Sequence, residues 1–194
     1  EGIAYYDREL RLPLKSNLGL TETDVPFPSG VYGLTKLQGE QAIQANWDKH
    51  FIIRTSWVYS QFGNNFMKTM LRLASERDRL SVVADQIGTP TNAVDLAYVL
   101  IKIIVSCHAE LVSASNYGIY NFSNEGQCSW YDFANEIFHQ KGVSIDLKAI
   151  PTSAYPTPAK RPAYSVLDKT KIKRTFGVEI KEWQTSLATC INQL

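Results

Sequence analysis

The stretch SGVYGLTKLQGE, residues 29–40, with FIIRTS, residues 51–56, close behind it, decides how this chain is read. The loop PFPSG brings the backbone to a helix start, and helix signals run from Val31 or Tyr32 to about Lys49. Leu37, Ile43 and Trp47 are its expected inward contacts, and Gly39 marks a place of close packing. FIIRTS is then a short β-branched run suited to a buried strand. Helix giving way to buried strand is the unit from which the rest of the fold is built.

Working outward, the same alternation recurs. A helix is predicted from about Asn65 to Arg77, a strand at Leu80 to Ala84, and a helix capped by Asn92, with Asp95 in the capping-box position, running to about Ser106. Gly118 to Phe122 predicts another strand, and Ser129 with Asp132 caps a helix stopped by Gly142. Ser144 to Ile150 reads as a strand, Pro151, Pro156, Pro158 and Pro162 define a long loop, Asp168 caps a short helix ending at Gly177, and residues 182–192 form a last helix. The class is therefore α/β: a partial Rossmann-like, mostly parallel sheet with helices, plus a smaller C-terminal substrate-binding portion. Residues 1–106 are assigned to the first part and 107–194 mainly to the second. HAELVSASN, residues 108–116, reads as an irregular insertion, and residues 1–31 as mostly loop.

The bulk composition excludes several classes. With 44% hydrophobic and 20% charged residues and a net charge of +1, the 194-residue chain is an ordinary globular protein with no need of nucleic acid as a partner. No apolar run approaches the length of a membrane span, so no membrane partner is expected. Cys107, Cys128 and Cys190 stand far apart and odd in number, which argues neither a disulfide framework nor a zinc site and fits a reducing cytoplasm. His50, His108 and His139 lack ligand spacing and read as structural; no metal is assigned. The start at Glu1, inside a Tyr-rich, Pro-punctuated loop, predicts a piece of a longer protein.

Tyr32 and Lys36 lie four residues apart, but with ten tyrosines in the chain such a pair also arises by chance, as at Tyr98 and Lys102. Context separates the two. Tyr98 stands within the apolar run YVLIKII, where packing with Lys102 reaching solvent accounts for it. Tyr32 follows a loop and opens a helix, so its phenol can border a crevice while Lys36 sits beneath its hydroxyl on the same face. The pairing has a chemical use. A phenol with a reference pKa of about 10 is a poor catalyst at neutral pH, and lowering it by roughly three units needs about 4 kcal/mol. One ammonium at about 4 Å, at an effective dielectric near 20, supplies roughly that amount before desolvation. A surface Tyr and Lys on an amphipathic helix is the alternative.

VYGLTKLQGE resembles the catalytic helix of the short-chain dehydrogenase/reductases, in particular their extended, nucleotide-sugar branch. RTSWVYSQFGNNFMKTM, VVADQIGTPTNAVDLA, IYNFSNEGQCSWYDFANEI and PAKRPAYSVLDKTKIKRTFG, in that order, are similar to the dTDP-4-dehydrorhamnose reductase family. The resemblance implies transfer of hydride from NADPH or NADH to the 4-keto carbon of dTDP-6-deoxy-L-lyxo-4-hexulose, giving dTDP-L-rhamnose. It implies that Tyr32 donates the proton to the ketone oxygen, that Lys36 assists it and bonds the cofactor ribose, and that Ser56 lies beside the cofactor. Trp57, at the carboxyl end of a strand, matches the family's sugar-contacting tryptophan, with a core aromatic at a strand end as the alternative. Asn65 is a candidate for the diphosphate, with a plain helix cap as the alternative. Gln86, Thr89 and Thr91 are candidates for sugar or nucleotide contact, or for fixing turns. Arg161 is a candidate partner of the diphosphate, or part of a solvated basic loop.

The chain departs from the family in lacking the glycine-rich turn that receives the cofactor pyrophosphate, so the 194 residues alone are expected to be catalytically idle. Preference between NADH and NADPH would be set in that absent half. Residues 3–18 read as longer than the usual family loop. Missing sheet strands would leave apolar edges, which makes self-association, as a homodimer, an expectation. Two other functions stay open: a nucleotide-sugar epimerase or dehydratase of the same superfamily, and a non-catalytic regulatory subunit like the methionine adenosyltransferase β subunit.

Overall fold

The computed structural model describes residues 19–28, 30–108, 116–157 and 161–194. Most of the expected insertion at residues 108–116, and the loop of residues 3–18, lie outside the described residues.

The deciding stretch forms α1 (Val31–Asn46), which leads into β1 (Phe51–Arg54) and β2 (Val58–Tyr59). There follow α2 (Phe66–Glu76), β3 (Arg79–Val83), β4 (Ile87–Gly88), β5 (Thr91–Asn92) and α3 (Ala93–His108). The second half adds β6 (Gly118–Asn121), β7 (Cys128–Ser129), α4 (Trp130–Lys141), β8 (Asp146–Ile150), α5 (Thr170–Phe176) and α6 (Trp183–Ile191). β1 pairs with β6, β2 with β5 and β3 with β8, all parallel, while β4 pairs with β7 antiparallel. The α/β class and mostly parallel pairing follow the alternation in the sequence. Instead of one continuous sheet, the described strands form four two-stranded ladders. β2, β4, β5 and β7, each two residues long, are too short for any periodicity to reveal.

Two large apolar clusters, and a small one of Leu20 and Leu167 against which Leu37 of α1 packs, hold these elements among the described residues. One gathers α2, α4 and α6 around Met67, Phe133, Ile137 and Leu187, all with no exposed surface. The other packs Val99 and Ile103 of α3 onto Tyr120, Phe122 and Ile172. α4 is bounded as its sequence indicates: Ser129 and Asp132 close a reciprocal capping box, and Gly142 ends the helix at φ 68°, in the left-handed region. Asn65 caps α2 by accepting from the Lys68 N–H. At α3 the Asn92 side chain accepts from the Val94 N–H, but Asp95 does not close the box. Its carboxylate instead accepts from Asn124, Ser186 and Lys181 and so ties α3 to α6. Lys169, not Asp168, is the cap residue of α5, although the Asp168 carboxylate accepts from the Thr170 N–H at 2.8 Å.

The inward face of α1 also differs from expectation. Gly33 and Glu40 are its buried residues and Leu37 packs beside Leu20 and Leu167, whereas Ile43 and Trp47 are exposed, and Gly39 has open space around it. Tyr98 and Ile101 of α3 are likewise exposed, because Val99 and Ile103, four apart, already supply the face that meets the core. Lys102 donates to the Gly177 carbonyl. None of the described helices is long and apolar enough to cross a membrane.

A charged knot joins the β6–β7 loop to α5. Lys169, 8% exposed at its side chain, lies 3.1 Å from Glu125, which also pairs with Lys173. Burial alone would raise the Glu125 carboxyl, but the hydrogen bond from Lys173 and the charge of Lys169 outweigh it and hold it below its usual range. Asp85 is held low by hydrogen bonds from the Thr152 hydroxyl and N–H. A carboxyl lowered by folding stabilises the fold above its unfolded pKa, and that contribution is lost as pH falls through the folded value. The urea midpoint is therefore expected to drop as pH is taken from 7 to below about 4. Glu125→Gln should flatten part of that drop; an unchanged pH slope in the variant would contradict the assignment.

Candidate active site

Tyr32 lies in the first turn of α1, 49% exposed, and the Lys36 ammonium stands 5.5 Å from the centre of its ring. One helical turn separates the pair, as the spacing requires. The ammonium approaches over the ring face, a cation–π arrangement, where the sequence suggested a seat beneath the hydroxyl. Both groups face outward, and neither is spent on the core. Tyr59 is the opposite case: 1% exposed, its phenol pushed up chiefly by burial, it belongs to the packing.

β1 runs into the second half of the site. Trp57, just past its end, takes φ 49°, the one positive value among described non-glycine residues. Such a backbone costs of the order of 1–3 kcal/mol for a bulky residue and persists only where its surroundings impose it. Here they do. The Trp57 ring stacks on Trp130 with centroids 3.6 Å apart and planes 12° apart, and its carbonyl accepts from the Thr91 N–H at 3.1 Å. Gly88 closes the other side: a Cβ there would stand 2.6 Å from two ring atoms of Trp57 and 2.8 Å from the Ser165 hydroxyl. Phe66 extends the aromatic row, 4.7 Å from Trp130.

The remaining candidates divide by what they are bonded to. Ser56, 2% exposed, donates to the Thr89 carbonyl, Thr89 donates to the Gly126 carbonyl, and Thr91 accepts from Thr55. Thr55 and Ser56 thus tie the segment after β1 to Thr91 and Thr89, and Thr89 in turn ties the β4–β5 loop to the β6–β7 loop. Gln86 is buried and donates to Thr152. The Asn65 amide accepts from Lys68 and donates to Ser60 and Phe62, so it is engaged in the cap, next to Phe66 and the tryptophan stack. Arg161 is exposed, two residues before Ala163, whose carbonyl accepts from Ile87 of β4. The structure thus gathers Ser56, Trp57, Thr89 and Thr91 at one strand end, with Gln86 and Arg161 flanking β4 and Tyr32 and Lys36 on the helix preceding β1.

Three features went unread in the sequence. No sequence pattern singles out Trp130, Gly88 or the partnership of Glu40 with Arg54. Arg54 Nε donates to both Glu40 carboxylate oxygens, at 3.0 and 3.2 Å, and Nη2 donates at 2.7 Å, with side chains 5% and 6% exposed.

The sequence matches the model of one protein family, the RmlD substrate binding domain, over residues 15–194. The dTDP-4-dehydrorhamnose reductase of Aggregatibacter actinomycetemcomitans is 47% identical over 175 residues, covering 86% of this chain and 58% of that protein. That of Escherichia coli K12 is 38% identical, covering 99% and 65%. Among solved structures, a dTDP-4-dehydrorhamnose reductase from Clostridium acetobutylicum is 42% identical with a TM-score of 0.84, over 92% of this chain and 61% of that one. One from Bacillus anthracis, in complex with NADP, is 36% identical with a TM-score of 0.80, over 90% and 59%. UDP-glucuronic acid 4-epimerase from Bacillus cereus, at 17% identity and a TM-score of 0.67, shares the fold. The chain spans about three-fifths of the length of the curated relatives it matches. On the match over residues 15–194, the chain belongs to the RmlD substrate binding domain family.

Proposed function

We propose that these residues form the proton-donating, sugar-binding portion of a dTDP-4-dehydrorhamnose reductase, active when joined to a cofactor-binding half. Residues 1–106 would complete the Rossmann-like core and carry the Tyr/Lys helix, with residues 107–194 mainly binding substrate. The observation that carries this is the outward-facing Tyr32–Lys36 pair on the helix before β1, together with the constrained Trp57 at the far end of that strand. Ligands of open α/β sheets bind at carboxyl ends of strands, where Trp57 lies.

An exposed ammonium and a half-exposed phenol are donors suited to the ribose hydroxyls and carbonyl-bearing ring of a nicotinamide nucleotide, so this helix fits that end of NADPH or NADH. The pyrophosphate end has no glycine-rich turn to receive it in these 194 residues. When bound, the reduced nicotinamide supplies a hydride to the C4 carbon of the keto sugar. Tyr32 delivers a proton to the C4 oxygen, turning ketone into alcohol. Lys36 steadies the phenol's negative charge once that proton has left. Trp57, 9% exposed between Trp130 and Gly88, would meet the sugar with the edge of its ring, and Arg161 supplies a guanidinium for the diphosphate.

Incubating dTDP-6-deoxy-L-lyxo-4-hexulose with NADPH tests this. The longer protein, containing a glycine-rich half, is expected to consume one NADPH per sugar reduced, and the 194 residues alone none. Epimerisation without net NADPH consumption would replace the proposal with the cofactor-retaining alternative. Turnover by the 194 residues at the longer protein's rate would refute the division of labour.

A further inference from the structure

We propose that the buried Glu40–Arg54 pair is the positioning device that sets where Tyr32 and Lys36 stand relative to Trp57; this rests on the function proposed above. Tyr32, Lys36 and Glu40 succeed one another at intervals of four, so they form one ridge along α1. The upper two members face outward and the third is its buried end, with a side chain 6% exposed. Among the described residues little else fixes this helix: Gly33 and Glu40 are its buried residues, and Leu37 is partly buried against Leu20 and Leu167. Gly33 has no side chain to grip with, and a leucine contact is non-directional.

Arg54 differs from both. It is the last residue of β1, and its planar fork meets the Glu40 carboxylate through three donor contacts of 2.7, 3.0 and 3.2 Å. A fork of that kind fixes both the height and the rotation of α1 against the strand. The chain leaving that strand reaches Trp57 within three residues, itself held by Trp130 and Gly88. Proton donor and sugar platform are thereby referred to one rigid piece of backbone. Stability gives no reason for an ion pair here, since well-packed apolar residues of similar volume serve a buried site as well or better. What two methionines could not reproduce is the directional grip.

That contrast supplies the test, using Glu40→Met combined with Arg54→Met. In the 194-residue chain, the double variant is expected to unfold at nearly the wild-type urea concentration, while amide exchange of residues 31–40 accelerates about tenfold or more and that of α4 stays unchanged. In the longer protein, kcat is expected to fall by about ten- to a hundredfold with KM for the keto sugar within roughly threefold, since a displacement near 1 Å can cost that much. The exchanged pair, Glu40→Arg with Arg54→Glu, restores the fork from the opposite side and should recover part of kcat. A double-methionine variant with wild-type kcat and exchange would overturn the inference and leave the function standing. A wild-type longer protein without reductase turnover would overturn both. Should neither double variant fold, the pair is a stability element and the inference fails.

Discussion

Tyr32→Phe in the longer protein is expected to lower turnover by about 10²–10⁴-fold, the span that a positioned proton donor supplies. The substitution removes one oxygen and keeps the ring. Lys36 therefore retains the aromatic face over which it stands, 5.5 Å from the ring centre. Because Tyr32 is 49% exposed, stability should change by less than about 0.5 kcal/mol. Binding of dTDP, measured by calorimetry, should be unaffected, since Trp57 and Arg161 lie on other elements. A large loss of kcat with intact nucleotide affinity is the signature of a group needed for the chemical step alone. Turnover within a few-fold of wild type would remove the proton from Tyr32.

The second large effect is expected at Gly88→Ala. The added methyl would stand 2.6 Å from Cε2 and Cζ2 of Trp57 and 2.8 Å from the Ser165 hydroxyl, well inside contact distance. Trp57 has no room to retreat, since its other face lies on Trp130 at a centroid separation of 3.6 Å. Its backbone is already confined at φ 49°. Overpacking of this kind costs about 1–3 kcal/mol and moves side chains from their minima. The near-ultraviolet circular dichroism of the stacked tryptophans should change, and affinity for the sugar nucleotide should weaken about tenfold or more, equivalent to at least about 1.4 kcal/mol. Wild-type affinity alongside an altered tryptophan spectrum would detach Trp57 from sugar binding.

What the sequence disclosed and what it hid follow from the range of the forces involved. Local rules reached far: the Ser129–Asp132 box, the Gly142 stop and the Asn65 cap depend on neighbours within three or four residues and are all present. The Tyr32–Lys36 adjacency is of the same kind. Asp95 marks where local rules lose, because its carboxylate is drawn off to Ser186 and Asn124, far away in sequence. The distribution of the strands over four two-stranded ladders could not be read either, since β2 and β5 are two residues each and pair across segments far apart in the chain. Within the site, type was legible where geometry was not. Trp57 could be placed at a strand end, but nothing local announces its left-handed backbone, the Trp130 beneath it or the absent side chain at Gly88. Ser56, Thr89 and Thr91 stand in the sequence as candidates for ligand contact, Thr89 and Thr91 also for fixing turns, and only the structure shows which protein groups each is bonded to. Glu40 and Arg54 are fourteen positions apart, beyond any helical or strand period.

The exposed apolar residues of α1 and α3 bear on the same point. Val31, Leu34, Ile43 and Trp47 on one helix and Tyr98, Ile101 and Val105 on the other show substantial surface in these 194 residues. Single exposed apolar side chains are ordinary, but Val31 and Leu34 flank Tyr32 at the start of α1. Under the proposed function, a cofactor half laid against the start of α1 would bring the nicotinamide to Tyr32 and Lys36 and cover Val31 and Leu34.

The most direct test is a crystal structure of the longer protein with NADP and the reduced sugar nucleotide bound. The expected result puts the Tyr32 hydroxyl about 3 Å from the sugar C4 oxygen, within hydrogen-bond reach, with Lys36 at the nicotinamide ribose and the Trp57 ring against the sugar. A C4 oxygen met by some other donor, with Tyr32 directed away from the sugar, would contradict the account.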